Sequence, residues 1–395
     1  MPDRAHPDRD YDVVVFGATG FTGKLTAAYL ADHAPDGFRW ALAGRSKEKL
    51  EKVRADLANS HAKAADLELL VADVNDPASL RKVAESTGSV VTTVGPYLEL
   101  GAPLVKACAE AGTDYLDITG EPEFVDRMYL EHHDKAVETG ARLVHACGFA
   151  SIPHDLGALH NVLQLPDDEA VTMRGIVRAQ GTFSGGTFAS ALTAMSRARQ
   201  MQEVSRRRRA KEPAPAGGRR SKPAGAKPQR DSTLGLYLLP MPTLDPLVVA
   251  RSGRAMPVYG PDFRYSHFAG IERLPVAVGG ALGVSGLALA AQIGPLRKAL
   301  IKRVPQGSGP SEERRAKSWF TVDFIGEAAD GTTVHTQVAG GDPGYGETSK
   351  MLAESALCLA FDPVPETSGQ VTTAEAMGLQ LVDRLNTAGI TFTTL

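Results

Sequence analysis

Short apolar runs alternate with segments of helical periodicity over the first 150 residues of this chain. The helical segments place apolar residues three or four positions apart, and the runs between them are rich in β-branched residues. The runs cover residues 11–16, 39–44, 67–73, 89–97, 114–118 and 141–146. Strands that alternate with helices imply right-handed crossovers and a parallel sheet with helices on both faces. We therefore expect an α/β fold with a doubly wound parallel sheet over residues 1–150.

The pattern changes after Pro153. A helical segment covers residues 154–163, and an alternating tract at 320–338 turns around Asp330-Gly331, which predicts a hairpin. This mixture predicts a second, α+β domain over residues 151–345. Two helices are expected in residues 346–395, and the second of them begins with a Thr372/Glu375 capping-box pattern.

The segment 206–230 has an unusual composition. It contains ten Arg or Lys residues and one Glu, together with Pro, Gly and Ala but almost no large apolar residue. Such a segment buries too little surface to order itself, so we expect a disordered basic loop. It is interpreted as a solvated spacer or as an electrostatic arm for an acidic partner, an anionic lipid or nucleic acid. The segment has no aromatic side chains for base stacking, which argues against nucleic acid.

An apolar tract without any charge runs from Leu274 to Leu296, between Arg273 and Arg297. Its length admits a membrane span, but five glycines and two prolines interrupt it. We favour a buried core helix or the apolar wall of a substrate channel. Contact with a lipid surface or a long-chain substrate, and a true span, remain the alternatives.

Overall composition excludes several protein classes. The chain has 395 residues, 43% of them hydrophobic and 23% charged, with a net charge of −3, which is ordinary for a globular protein. Three widely spaced cysteines suit neither a disulfide framework nor a zinc site. The polar N-terminal segment has no apolar signal core, so a cytoplasmic location is expected.

Three glycines follow the first strand at a spacing of three. Gly17 permits a tight turn, Gly20 lets the backbone approach a phosphate, and Gly23 lets helix and strand pack closely. The amides at the start of the helix and the helix dipole favour a pyrophosphate. The spacing is G-x-x-G-x-x-G, and the intervening residues of this candidate dinucleotide-binding turn are Ala18, Thr19, Phe21 and Thr22.

The end of the second strand indicates which dinucleotide binds. NAD sites usually carry an acidic residue there, whereas this strand ends in Gly44 and Arg45. A guanidinium can bind the 2′-phosphate of NADP, and Ser46 adds a hydroxyl donor. We therefore predict NADP(H) as the cofactor. Asp73, after the third strand, is interpreted as a contact to the adenine or as a helix cap.

The carboxyl ends of the later strands complete the predicted crevice. The fourth strand delivers Val94, Gly95, Pro96 and Tyr97 toward the nicotinamide. The fifth strand delivers Asp117, Thr119, Gly120 and Glu121. The glycine-rich stretch 183–190 is interpreted as a lining of the substrate cleft or as a plain turn. No metal-ligand cluster is visible, so we expect no metal.

These segments together resemble the saccharopine dehydrogenase-like oxidoreductases, and most closely their actinobacterial branch of trans-acting enoyl reductases. The matching pieces, which span the chain, are "VVVFGATGFTGKL", "LAGRSKEKL", "VVTTVGPY", "YLDITGE", "HACGFASIPHDLG" and "GDPGYGETSKMLAESALCLA". The family often reads "CGFDSIP", whereas this chain has Ala150 in place of that Asp. The resemblance implies a Rossmann domain, an α+β domain and C-terminal helices that return to the first domain.

The resemblance also implies NADPH-dependent reduction of an unsaturated acyl chain carried by a polyketide synthase. Hydride addition at the β-carbon leaves an enolate, which needs a proton donor. Tyr97 is the first candidate and His154 the second; for each, packing or helix capping is the alternative role. The basic segment 206–230 is interpreted as a docking arm for an acidic acyl carrier.

Two other functions remain open at this stage. One is a saccharopine-type imine reductase acting on an amino-acid substrate, which would require several convergent basic residues in the pocket. The other is a non-catalytic NADP-binding protein that associates with lipid. The apolar tract would then provide a peripheral contact with the membrane. The oligomeric state is left open.

Overall fold

A computed structural model describes residues 5–181, 185–303 and 309–395 of the chain. Its first half alternates strands with helices as the pattern predicts. The elements are β1 (Tyr11–Phe16), α1 (Phe21–His33), β2 (Trp40–Gly44), α2 (Lys47–Ala58), β3 (Glu68–Val71), α3 (Pro77–Ser86), β4 (Thr87–Thr92), α4 (Tyr97–Leu100), α5 (Ala102–Ala111), β5 (Asp114–Asp117), α6 (Pro122–Thr139) and β6 (Arg142–Val144).

The second half mixes both kinds of element. They are α7 (Ile152–Val162), β7 (Val171–Gln180), α8 (Gly185–Ser196), α9 (Ala198–Lys211), β8 (Arg220–Pro223), β9 (Gln229–Arg230), β10 (Tyr237–Pro240), α10 (Asp245–Ala255), β11 (Asp262–Ile271), α11 (Leu274–Gln292), α12 (Gly294–Arg303), α13 (Glu312–Ala316), β12 (Trp319–Ala328), β13 (Thr333–Gly340), α14 (Gly346–Phe361), β14 (Gly369–Val371), α15 (Thr373–Thr387) and β15 (Thr391–Thr394).

The first sheet is parallel, with the strand order β14-β6-β5-β4-β1-β2-β3. Alternate residues of β1 enter different cores. Val13 and Val15 pack with α1 and α14 on one face, while Val14 and Phe16 pack with α3, α5 and α6 on the other. Helices thus cover both faces, and the predicted doubly wound Rossmann-type sheet is confirmed.

The second sheet is mixed, with the order β15-β13-β12-β7-β11-β10-β9 and with β8 paired to β11. Its β12 and β13 form the antiparallel hairpin predicted around Asp330-Gly331. Gly331 has φ +95°, a left-handed conformation in which glycine is favoured. A second domain of α+β type is therefore confirmed.

The expectation of a disordered loop at 206–230 is wrong. The segment contains the end of α9, a short 3-10 turn, β8 and β9. Arg208 is buried, and its guanidinium donates to Asp126, Gln370 and Glu212, with N–O distances of 3.1, 2.7 and 2.5 Å. Composition alone misses this order because two of the three acceptors, Asp126 and Gln370, come from distant parts of the chain.

The expectation of a buried helix at 274–296 is also wrong. Helix α11 begins at Leu274, and Ala277 and Ala291 are its only buried residues. It is the one described helix whose length and composition would allow it to cross a membrane, and 11% of its apolar window is buried. Its uncharged surface therefore faces outward instead of filling a core.

Residues 346–394 contribute to both sheets. Strand β14 pairs in parallel with β6 at the edge of the first sheet, and β15 pairs antiparallel with β13 in the second. Helix α14 packs against α1, where the Tyr29 hydroxyl donates to Glu354 Oε1 at 2.6 Å. Helix α15 begins as predicted, since the Glu375 amide donates to Thr372 Oγ1 at 3.2 Å.

Candidate functional site

The turn after β1 has the close packing that its glycines were predicted to allow. Gly17 has φ +87°, and a Cβ there would lie 2.6 Å from Val94 Cγ2. A Cβ on Gly23 would clash with the Gly17 carbonyl, so α1 could not approach the strand with any larger residue. The turn thus holds the start of α1 directly beside the end of β4.

The start of α1 is open where a pyrophosphate would bind. Gly20 is its N-cap and is exposed, and Lys24 N–H is the donor that bonds back to the Gly20 carbonyl, at 2.9 Å. The amides of Phe21, Thr22 and Gly23 belong to the first turn, which has no intrahelical acceptors, whereas the Gly20 amide donates to the Gly17 carbonyl at 3.0 Å. Ala18 is buried; the side chains of the other turn residues, Thr19, Phe21 and Thr22, are partly exposed. These donors and the helix dipole suit two phosphates.

Arg45 follows β2 beside this turn. It is exposed and has no hydrogen bond or ion pair with any residue that the structure describes. A Cβ on Gly44 would lie 3.9 Å from Thr19 Cγ2, so the end of β2 adjoins the glycine turn. Ser46 caps α2 by accepting from the Lys49 amide at 3.4 Å. Arg45 is therefore available to a ligand in this corner.

Asp73 forms a turn of its own after β3. Its carboxylate accepts from the Asn75 amide at 2.8 Å, and the neighbouring Asp76, not Asp73, caps α3. The helix-cap interpretation of Asp73 is thus wrong. A contact to the adenine stays a prediction.

The residues after β4 and β5 lie at the carboxyl edge of the sheet. Val94 is half-buried against Gly17, and Gly95 is exposed and joined by a cis peptide to Pro96. Gly120 is exposed, and a Cβ there would meet no atom within 4 Å. The backbone along this edge is therefore accessible to a cofactor.

Tyr97 is buried, and its hydroxyl is already hydrogen-bonded, unlike that of a free proton donor. It is 6% exposed, and its hydroxyl donates to the Thr92 carbonyl at 3.0 Å while the Ile118 amide lies 3.4 Å away. Burial, with a smaller contribution from Asp117, raises the pKa of Tyr97 well above its usual range. Its hydroxyl is engaged by backbone groups of the first domain, which argues against a catalytic role.

Glu121 was expected to reach the crevice from the fifth strand, although it was not predicted to bind the cofactor. Its carboxylate accepts from the Tyr97 and Leu98 amides at 3.2 and 2.8 Å and from Ser190 Oγ at 2.7 Å. It therefore connects the loop after β4 to α8 of the second domain. Residues 185–190 of the glycine-rich stretch are helical, so a plain turn there is wrong; residues 183 and 184 lie outside the described residues.

His154 belongs to a buried cluster that spacing could not reveal. His154 Nε2 lies 3.3 Å from Asp245 Oδ1, and His267 Nε2 lies 3.8 Å from Asp245 Oδ2. The two imidazole rings meet edge to face at 4.8 Å, and the Tyr265 hydroxyl lies 3.1 Å from His267 Nδ1. The cluster joins the first turn of α7, which follows β6, to β11 and α10 of the second domain.

Burial controls the charge of this cluster. The three residues are at most 3% exposed. Burial lowers the pKa values of His154 and His267 to about 3, and it raises the pKa of Asp245. Both imidazoles are therefore neutral near pH 7, and the carboxyl is biased toward holding a proton. His154 Nδ1, Asp245 Oδ1 and His267 Nε2 are all buried without a hydrogen-bond partner among the described residues, so the 3.3 Å approach of His154 Nε2 to Asp245 Oδ1 is a close contact and not a hydrogen bond.

Comparison with known proteins agrees with this geometry. Residues 13–144 match the saccharopine dehydrogenase NADP binding domain. A Mycobacterium tuberculosis protein is 38% identical over 416 residues, covering 98% of each chain. A Mycobacterium bovis protein named trans-acting enoyl reductase is 36% identical over 413 residues, covering 97% of each chain.

The solved structures support the same fold. Saccharopine dehydrogenase (L-Glu forming) from Saccharomyces cerevisiae matches 98% of this chain and 100% of its own, with a TM-score of 0.57 and 13% identity. The chain is thus an NADP(H)-binding oxidoreductase whose cofactor-binding domain contains the glycine turn.

Proposed function

Since the chain belongs to the trans-acting enoyl reductase family, we propose that it reduces the α,β double bond of an acyl thioester with NADPH. The observation that carries this proposal is the full-length similarity to a protein of that name, together with the glycine turn and Arg45. A trans-acting enzyme meets its substrate on another protein, so the acyl chain is carried by an acyl carrier of a polyketide synthase. We place this reaction in the cytoplasm.

The first domain supplies the cofactor contacts. The first-turn amides of α1 would hold the pyrophosphate, Arg45 and Ser46 would hold the 2′-phosphate, and Asp73 would approach the adenine. Val94, Gly95, Pro96 and Gly120 would line the nicotinamide end of the cofactor. When bound, NADPH supplies a hydride to the β-carbon of the substrate.

The buried cluster supplies the proton. His154 gives its Nδ1 proton to the enolate as Asp245 passes a carboxyl proton to His154 Nε2, across the 3.3 Å contact. The imidazole ends neutral and Asp245 ends as a carboxylate, which solvent reprotonates before the next turnover. His267 positions Asp245 and packs against the His154 ring.

The substitution His154→Gln tests this assignment. We expect turnover of an enoyl thioester to fall by about a hundredfold or more, because a positioned acid contributes on this scale. NADPH binding, followed by fluorescence titration, stays unchanged. His160→Gln is the matched control, since His160 lies on the same helix outside the cluster.

Two results would contradict the proton assignment. One is full turnover by the His154→Gln variant. The other is a stoichiometric metal ion in the wild type that the variant loses, because imidazole and carboxylate groups are also metal ligands and all three ligand atoms lie within 4.8 Å of one another.

Docking of the carrier is assigned to the exposed basic residues of α9 and β8. Arg208 and Arg219 are used inside the fold, but Arg207, Arg209 and Lys222 remain exposed. Acidic carrier domains would be attracted to this surface. Arg207→Glu with Arg209→Glu should raise KM for a carrier-bound substrate and leave a free thioester unaffected. Equal losses for both substrates, or none, would contradict this docking site.

A small cleft between the domains offers, among its described residues, no free cation to an amino-acid substrate. Residues of α4, α6, α8 and α9 line it, including Leu98, Glu121 and Ser190. Arg197 is the basic side chain among the described lining residues, and it is bonded to Glu123 at 2.6 and 2.7 Å. No unpaired cation in this described lining would receive a dicarboxylate, as a saccharopine-type imine reductase requires.

A further inference from the structure

Helix α11 is apolar around nearly its whole circumference, and together with the basic helix α12 it forms the α11–α12 surface, residues 273–303. Its most exposed large side chains include Leu289 at 71%, Leu282 at 68% and Val276 at 58%. A helix that is apolar on every side normally lies in a protein core or in lipid. The residues that the structure describes leave α11 mostly uncovered, and an exposed apolar surface of this size is typical of a site that contacts another molecule or a membrane.

Helix α11 lies flat along the second domain. Ala277 and Ala291 are fourteen residues apart, about four turns, so they share one face, and both are buried. At its C-terminal end, Gln292 Nε2 donates to the Met195 carbonyl at the end of α8. The helix is thus held near both ends. It could not cross a bilayer without leaving these contacts, whereas its outer face can lie in a membrane surface.

The charge of this surface indicates which kind of membrane it fits. No acidic residue occurs between Glu272 and Glu312. Arg273, Lys298, Lys302 and Arg303 flank the apolar face and are exposed. Basic residues beside an apolar helix face are typical of binding to anionic lipid. A second copy of the chain would bring an equally basic surface to the contact and is therefore disfavoured.

We propose that the α11–α12 surface docks the protein on an anionic lipid bilayer, with α11 parallel to the membrane plane. The apolar side chains enter the boundary between headgroups and acyl chains, and the basic side chains contact lipid phosphates. This inference does not rest on the proposed reaction. Helix α8 underlies α11 and also bonds to Glu121 through Ser190, so docking would bring the cleft between the domains close to the membrane.

Co-sedimentation of the full chain with vesicles tests the proposal. We expect binding to vesicles that contain phosphatidylglycerol, with weaker binding to phosphatidylcholine alone and release by high salt. Leu282→Glu with Leu289→Glu should lower the bound fraction by about tenfold, since both substitutions place a charge on the face of α11 that would enter the membrane. Both side chains are exposed, so the fold is preserved. Val137→Glu with Leu379→Glu is the matched control.

The outcomes are distinct. Lys298→Gln with Lys302→Gln should remove the preference for phosphatidylglycerol. Absence of binding to either vesicle, or equal binding by the Leu282/Leu289 variant, would overturn the proposal. Binding that only detergent reverses would indicate a span, and a wild-type dimer that this variant dissociates in the absence of vesicles would indicate a second copy; either result overturns it. Reductase activity on a free thioester reports separately on the proposed function.

Discussion

Glycine is required at position 23 because the Gly17 carbonyl leaves no room for a side chain. A methyl group there would clash with the Gly17 carbonyl, which itself sits in a left-handed turn against Val94. Each of these two glycines removes a side chain so that two backbones can approach. Gly20 differs, because its nearest contact is an ordinary 3.4 Å from an added Cβ and the residue is exposed at the start of α1.

Arg45 is the residue that we expect to distinguish NADPH from NADH. Arg45→Ala should raise the Kd for NADPH by roughly 30-fold to 100-fold, because a hydrogen-bonded ion pair with the 2′-phosphate contributes about 2–3 kcal/mol. The Kd for NADH should stay unchanged, since that ribose has no such phosphate. Isothermal titration with both dinucleotides measures the difference.

The matched control for Arg45 is Lys47→Ala. Lys47 is 72% exposed, and its amine lies 4.0 Å from Glu51 on the same helix. The Lys47→Ala substitution therefore removes a nearby positive charge without removing the proposed contact. An equal loss of NADPH affinity in the two variants would indicate a diffuse field instead of a specific contact. An undiminished preference for NADPH in Arg45→Ala would contradict the assignment.

Glu375 should make stability depend on pH. Burial raises its pKa from 4.5 to about 7, with a smaller contribution from the charge of Asp155. Below pH 4.5 the carboxyl is protonated in both the folded and unfolded states. Between pH 4.5 and 7 the unfolded state ionises first, so stability falls as pH rises, by up to about 3 kcal/mol.

Glu375→Gln should remove this fall. We expect its free energy of unfolding to match that of the wild type near pH 4.5 and to exceed it above pH 7, as measured by denaturant titration. Gln is accepted at this helix position. The exposed Glu366→Gln is the control and should change neither value. A stability difference that is the same at both pH values would contradict the prediction.

At the scale of elements, α9 shows how a basic segment becomes part of a fold. Arg208 stacks on Tyr129 at 4.2 Å and bonds to Asp126 of α6 and Gln370 of β14. Arg251 from α10 also donates to Asp126. One buried carboxylate thus receives two guanidinium groups from different helices, and α9 is tied to the edge of the first sheet.

Replacing Arg208 should therefore destabilise the protein. Arg208→Met leaves Asp126 and Gln370 short of a donor, and we expect the free energy of unfolding to fall by about 3 kcal/mol. The neighbouring Arg209 is exposed, so Arg209→Met should stay within about 0.5 kcal/mol of the wild type. Chemical denaturation of both variants measures this contrast. Equal stabilities would mean that the buried network contributes nothing.

At the scale of the whole molecule, features that depend on local sequence signals could be predicted, and features that depend on long-range contacts could not. The first six strands, the glycine turn and the Arg45 corner follow from neighbouring residues, and they were predictable. Strand β14 has three residues and pairs with β6, more than two hundred positions earlier, so no local pattern marks it.

The same division applies to the candidate site. His154, Asp245 and His267 come from three separate elements, and their spacing along the chain resembles no motif. Burial of Tyr97 was also beyond local reasoning, because it depends on how β5 and α6 pack around it. The exposure of α11 could not be read from its composition, which suits a core and a lipid surface equally.

The sharing of residues 369–394 between two sheets has a consequence for biosynthesis. The parallel sheet obtains its outer strand from residues 369–371, and the mixed sheet obtains one from residues 391–394. During translation, both strands leave the ribosome after all the other described strands of the two sheets. Neither sheet can reach its full set of backbone pairings until its own late strand has been synthesised, residues 369–371 for the first sheet and residues 391–394 for the second.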